Sequence, residues 1–422
     1  MAFKGVSNTK LNGGLGRRNP SKDSVMGLVM GGVATANIAL GTVKKLIQIE
    51  DAEALLLNSG YDSTNGVRVY EHIQQFFEFC PDGTLYIMLV AQGTTQSQMC
   101  TYANAYVKKL ALDPITNKEI KLIGTVLNPA TGYAPDSTDG IPDDVSAAIP
   151  LAQALIETLN GEFVYLDGIV LEGRNIEGTI GDLLDLRTKT APNVSVCIGA
   201  DPVIIALHSD YEGSASVGTA LGNIAVRKVS EDLGAVDIAR KPTGKKGQPN
   251  YTLTNEANGT WLTAALTSGV LFSSLTTAEK QLLTDKGYIY VGSYEGYPGL
   301  YFNEGPTCVE AASDYSYILM NRVWNKAARY VRTALIPKMN SEVEVTDAGA
   351  IEEDIISEWI GAANKELDKM LADKEISSKD FYIDPSQNVL GGNPIVTKLK
   401  VVPNGIARKI ENELGFTNPL TA

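Results

Sequence analysis

Two patterns of apolar and polar positions divide this chain of 422 residues. Between residues 24 and 200, short apolar runs at 24–34, 42–49, 84–91, 120–127, 163–171 and 194–200 read as strands. Between them apolar residues recur every three or four positions, which predicts helices over 51–57, 70–79, 97–110, 144–160 and near 180–187. Strands alternating with helices predict α/β layers with parallel pairings. A helix of small residues over 214–229 and a basic loop over 239–250 follow.

The pattern changes after residue 313. Met320, Val323, Trp324, Ala327, Val331, Ala334 and Leu335 make an apolar helical stripe that ends at Pro337, because proline cannot continue a helix. The other face carries Arg322, Lys326, Arg329 and Arg332, with no acidic residue before Lys338. A second helix over 347–371 places Ile351, Ile355, Trp359, Ala363, Leu367 and Met370 on one side. It opens with Glu352, Glu353 and Asp354 and ends near Lys365 and Lys369, which suits the helix dipole. Residues 381–384 and 396–402 read as strands, whereas Ile406, Ile410 and Leu414 fit a period of two and a helical period equally. At the other end, Phe3, Val6, Leu11 and Leu15 are too sparse to close a local core, so residues 1–20 read as an extended arm.

Charge narrows the function classes. With 36 basic and 49 acidic residues the net charge is −13, which opposes the phosphate-neutralising surface that nucleic acids require. No run approaches the ~18 consecutive apolar residues of a membrane span, and the N-terminus lacks the apolar core of a secretory signal, so synthesis in a cytoplasm is expected. Cys80, Cys100, Cys197 and Cys308 share no close spacing and read as reduced thiols.

The chemistry of common sites is missing. His72 and His208 stand in unrelated contexts and build no two-histidine metal motif. The glycines over 11–18 follow no predicted strand, and the loop carrying Lys241, Lys245 and Lys246 lacks the phosphate-loop spacing, so it reads as a solvated hairpin tip. Asp136, Asp139, Asp143 and Asp144 form the best metal candidate, but Gly140 falls at the fifth position of a calcium loop rather than the sixth; a turn and a helix cap fit better. No catalytic, cofactor or metal site is predicted.

Two parts of the chain resemble one family. Residues 5–29, GVSNTKLNGGLGRRNPSKDSVMGLV, and the part from Tyr288 onward, with GYPGLYFNEG at 296–305, IPKMNSEV at 336–343 and VTKLKVVPNG at 396–405, resemble contractile tail sheath proteins. The likeness is to the divergent sheath family of phages and phage-derived elements of Bacteroidetes-type hosts. It implies an α/β fold (α+β overall) with an N-terminal arm over 1–20, an α/β domain over 21–285, an assembling domain of two long helices and strands over 286–393, and a C-terminal strand and arm over 394–422.

The resemblance also implies a structural subunit rather than an enzyme. Such a subunit polymerises helically around an inner tail tube and contracts to drive the tube through a target envelope, within a virion tail or contractile injection particle. Its expected partners are further copies of itself, the tube protein, and baseplate and terminator proteins, with no cofactor, nucleic acid or membrane span. Phe3, Val6, Leu11, Leu15, Val396, Lys398, Leu399, Lys400 and Val401 become inter-subunit arm residues. Arg322, Lys326, Arg329 and Arg332 become the preferred tube-facing set, with the acidic helix as the other choice. The rival classes are a soluble α/β enzyme, which requires a deep pocket with convergent polar groups, and a ring-forming terminator or baseplate component.

Overall fold

The computed structural model describes residues 22–102, 106–388, 390, 392 and 394–416; Phe3, Val6, Leu11 and Leu15 lie outside them. Six strands form the main sheet: β1 Val25–Gly32, β2 Val43–Leu46, β3 Thr84–Ala91, β4 Leu122–Val126, β5 Gly168–Glu172 and β6 Val194–Cys197. Their order is β2-β3-β1-β4-β5-β6, and only β2 pairs antiparallel. Parallel strands covered on both faces need apolar side chains on both, which is why β1, β4 and β5 are buried at every position.

The helices α1 Ile49–Ala54, α2 Ser59–Asn65 and α3 Tyr70–Phe79 precede β3, α4 Gln96–Cys100 and α5 Tyr106–Leu112 precede β4, and α6 Asp143–Gly161 precedes β5. One core, holding Met26, Leu28 and Phe76, lies on one face of the sheet. The other, holding Val29, Leu110 and Ile156, lies on the opposite face. The crossovers therefore cover both faces of a doubly wound sheet, and their direction reverses between β1 and β4.

The chain continues through β7 Gly199–Ala200, α7 Pro202–Ile205, α8 Val217–Val226, β8 Ala265–Leu266, α9 Thr277–Asp285, β9 Val291–Gly292 and β10 Tyr301–Phe302 to the long helix α10 Ile318–Leu335. Helix α8 is buried at all ten positions. A Cβ at Gly218 would sit 2.2 Å from the carbonyl oxygen of His72, and one at Gly222 would sit 2.7 Å from that of Phe76, so glycine spacing lets α3 and α8 meet backbone to backbone.

Two expected helices differ. The one over 97–110 is α4 and α5, with α4 opened by a capping box from Thr95 and Gln98 and ended by the extended backbone of Thr101. The one near 180–187 is a turn: Thr179 and Asp182 bond each other, while Leu184 N–H donates to Asp139 O and Leu186 N–H to Lys286 O. Ile180, Leu183 and Leu186 are buried and give the apolar spacing without a helical hydrogen-bond ladder.

The chain divides into two compact units, residues 1–329 and 330–422. Residues 288–302, which the sequence groups with the C-terminal helices, supply Ile289, Val291 and Phe302 to a core of the first unit. The second unit contains α11 Glu353–Ala372, β11 Ile376–Ile383 and β12 Thr397–Pro403. Ile356, Trp359, Ala363, Leu367 and Met370, spaced by three and four, form its buried helical face. Ile376, Phe381 and Ile383 of β11 are buried too, which gives a lone hairpin the helix cover it needs for stability.

Candidate assembly surfaces and the two ends of the sheet

The residues of α10 belonging to the first unit reach the segments that start the parallel strands. Lys326 Nζ lies 2.7 Å from Asp23 Oδ2, two residues before β1. Arg329 Nη1 lies 3.2 Å from Asp167 Oδ1, at the entry to β5, where Asn325 also donates to Asp167 Oδ1 and Leu166 O. Arg322 donates to the carbonyls of Asp23, Arg227 and Lys228, and Asn321 to that of Pro192 ahead of β6.

Burial alone raises the Asp23 carboxyl, but Lys326, Arg322 and Arg329 outweigh it and hold the group below the usual aspartate value. Burial, and next the Arg329 guanidinium, push the Lys121 amine down to about 8.

This corrects the tube-facing assignment of Arg322 and Lys326. They are 1% and 5% exposed, and their charges are spent inside their own unit. Arg329 is tied to Asp167, and Arg332, in the second unit, is half-buried. The apolar stripe is split correspondingly: Val323 and Ala327 are buried, whereas Trp324 is 49% exposed. The signal in the sequence was the polar stripe Asn321, Arg322, Asn325, Lys326 and Arg329. Asparagines interleaved with cations at helical spacing suit a helix that answers carbonyls and carboxylates at strand ends better than one facing water.

At the carboxyl ends of the strands, where doubly wound sheets bind ligands, polar side chains close the crevice. Asn128, after β4, donates to Gly31 O and accepts from Arg68 N–H. Glu172 accepts from Leu127 N–H and Ala215 N–H, and Arg68 reaches Glu71 at 2.5 Å, Ser214 and Ser216. Burial pushes both Glu71 and Glu172 above the usual carboxylate range.

His72 is fully buried, its Nδ1 accepting from Gly218 N–H, and burial holds its pKa well below the ordinary value. Outside the crevice an open polar depression of about 540 Å³ is lined by Gln92, Tyr133, Arg174 and Asp210 among others. Asp143 binds Thr138, and Asp144 accepts from the backbone N–H groups of Gln96 and Ser97 at the start of α4. His208 Nδ1 accepts from Asp210 N–H in a single turn.

In the second unit β12 pairs antiparallel with β11, opposing Leu399 to Phe381, Val401 to Lys379, Lys398 to Tyr382 and Lys400 to Asp380. Lys398 and Lys400 are exposed, Leu399 and Val401 half-buried, and Val396 bonds through its backbone to Gln387. The strand thus completes a hairpin within its own chain. Among the described residues this sheet has two strands, which leaves the outer edge of each unpaired. Residues 404–416 form neither strand nor helix, and Ile410, Leu414 and Phe416 are fully open to solvent or nearly so.

The whole chain superimposes on subunits of contractile particles. A chain of the anti-feeding prophage helical sheath in its contracted state matches with a TM-score of 0.55 and 14% identity, over 99% of each chain. A chain of the PVC sheath complex of an extracellular contractile injection system, also contracted, matches at 0.55 and 14%, over 100% of this chain and 98% of that one. A chain of the anti-feeding prophage baseplate matches at 0.58 and 13%, over 100% of both.

The fold is that of contractile sheath proteins. By sequence the chain belongs to the DUF2586 family, whose N-terminal domain matches residues 3–306 and whose C-terminal domain matches residues 314–421. No curated protein matches it in sequence.

Proposed function

We infer that the protein is the structural subunit of a contractile sheath, polymerising helically around an inner tube and contracting to drive that tube through a target envelope. The observation that carries this reading is the end-to-end match, both units included, to a chain of a contracted helical sheath. The β11–β12 hairpin supports it. Each open strand edge is a template for a strand from another copy, with main-chain hydrogen bonds worth a net ~0.5–1.5 kcal/mol each. A contact between different surfaces of identical copies that does not close into a ring generates a helix.

Tethered arms at residues 1–20 and 404–422 would stay engaged while the bodies of the subunits move, letting the lattice shorten without coming apart. The tube, baseplate and terminator are the further partners of such a subunit, and a tail or injection particle is its place.

The same reading makes the chain non-enzymatic. The crevice that serves as the active site of doubly wound enzymes is occupied by Asn128, Arg68 and Glu172, all buried and bonded to one another's segments. Among the described residues no helix is long and apolar enough to cross a membrane.

Electron microscopy of the purified protein tests the reading: long hollow cylinders are expected. A chain that remains monomeric and turns over a substrate, with turnover lost on mutating a residue of the 540 Å³ depression, overturns it; single closed rings would replace it with a terminator or baseplate role.

A further inference from the structure

The described surface carries a basic loop in a chain of net charge −13. Residues 238–255 hold Arg240, Lys241, Lys245 and Lys246 and no acidic residue. The loop is held in shape from within: Lys241 Nζ sits 2.5 Å from Asp237 and also donates to Gln248 O, and Ala239 N–H donates to Glu231 at 2.7 Å. Beside it lies a recess of about 280 Å³ shared with Cys80, Pro81 and Asp82. Lys246 is exposed and Lys245 half-buried at the tip, and neither has an ion-pair partner among the described residues.

The opposite charge is concentrated in the second unit. Residues 339–364 contain Glu342, Glu344, Asp347, Glu352, Glu353, Asp354 and Glu358 and no lysine or arginine. Among the described residues Glu358 is paired with Lys338, whereas Glu342, Glu344, Asp347, Glu353 and Asp354 are exposed and have no ion-pair partner.

We propose that the 240–246 loop of one copy docks on the acidic 342–354 segment of the next copy. Identical copies present both surfaces in equal number, and a contact between unlike surfaces passes from copy to copy, giving a helix wherever its rotation does not close into a ring. Copies of net charge −13 repel one another, so bringing two acidic bodies together favours whichever approach sets cations against carboxylates. The loop's own hydrogen bonds fix its form before docking, which lowers the ordering cost. A single exposed pair contributes little, but the contact recurs at every subunit. The proposal rests on the self-assembling reading and adds to it the pair of surfaces.

The test is a charge swap read by sedimentation and electron microscopy of the full chain at low and high salt. Lys245→Glu with Lys246→Glu, and separately Glu353→Lys with Asp354→Lys, are each expected to raise the concentration needed for assembly at least about tenfold at low salt. All four substitutions together are expected to restore it to within about threefold, since the opposed signs are exchanged rather than removed. Circular dichroism and melting temperature identify any variant that fails on folding instead, and Lys245→Gln with Lys246→Gln, expected to weaken assembly by a smaller factor, then stands in for it. Unaffected charge reversals beside an assembling wild type overturn this proposal alone, as does a quadruple variant that assembles no better than the pairs. A wild-type chain that never assembles removes the sheath reading together with it.

Discussion

Lys326 and Asp23 stand 303 positions apart in sequence, yet their ammonium and carboxylate meet at 2.7 Å with both side chains buried. The pair ties α10 to the residue that ushers the chain into the first strand of the sheet.

Breaking that pair on one side leaves a buried charge without its nearest counter-charge. Lys326→Ala is therefore expected to cost about 3–5 kcal/mol, and Lys326→Glu at least as much, while Asp23→Asn with Lys326→Met costs less because both charges of the pair are removed together. Urea denaturation of the variants checks this. The carboxyl is held below the usual aspartate value, so its contribution is present above about pH 4 and is lost as the pH falls through the folded value. Asp23→Asn should flatten the acid limb of the stability curve, and an unchanged limb would separate the pair from acid stability.

His72 supplies a second pH dependence of the same direction and a different window. Its imidazole is buried and neutral, with a pKa well below the ordinary 6.5 because burial, then Arg68 and Arg174, disfavour the cation. The unfolded chain takes up a proton that the folded chain refuses. Stability is therefore full above about pH 6.5 and falls below it, by up to about 1.4 kcal/mol per pH unit until the folded value is reached. Denaturation midpoints between pH 7 and 5 should show this slope in the wild type. His72→Gln should show less of it, even if its stability at pH 7 is lower.

Two glycines on helices should respond to alanine with opposite signs. At Gly222 a new Cβ meets the Phe76 carbonyl oxygen at 2.7 Å where α8 lies against α3, so Gly222→Ala should cost about 1–3 kcal/mol through overpacking. Gly361, exposed within α11, has nothing within 4 Å of the same atom, and Gly361→Ala should gain up to about 1 kcal/mol from helix propensity. A Gly222→Ala chain that melts no lower than the wild type would contradict the close approach of α3 and α8, and a Gly361→Ala chain that melts lower would contradict the open space at α11.

The strands and helices of the α/β part were legible because burial on both faces leaves continuous apolar runs. The expected helix over 70–79 and strand over 84–91 coincide with α3 and β3 to the residue. Hydrogen bonds to distant partners were not legible, which is why the apolar spacing of Ile180, Leu183 and Leu186 suggested a helix where Leu184 and Leu186 bond to Asp139 and Lys286. The same blind spot shifted the buried face of α10, which keeps Val323 and Ala327 but takes in Arg322 and Lys326. Helical period identifies a stripe, but only the positions of Asp23, Asp167 and the strand-entry carbonyls decide that Arg322 and Lys326 turn inward while Trp324 turns out. The pairing of β12 with β11 was hidden for a related reason: alternation marks a strand without naming its neighbour.

The exposed tail offers the sharpest separation of folding from assembly. Ile410, Leu414 and Phe416 are 77%, 95% and 110% exposed, so they contribute little to the stability of the isolated chain. Truncation after Lys409 should therefore move the melting temperature by no more than about 2 °C, the scale of a surface change of roughly 0.5 kcal/mol. In an assembly these apolar side chains are the part of the tail with most to gain from burial, at roughly 1.5–3 kcal/mol for each one fully covered. Losing three of them from every subunit should abolish cylinders at concentrations where the intact chain forms them. Melting curves and electron microscopy on the same preparations decide the matter. A large fall in melting temperature would make residues 410–422 part of the folded body, and cylinders that persist would take the tail out of assembly.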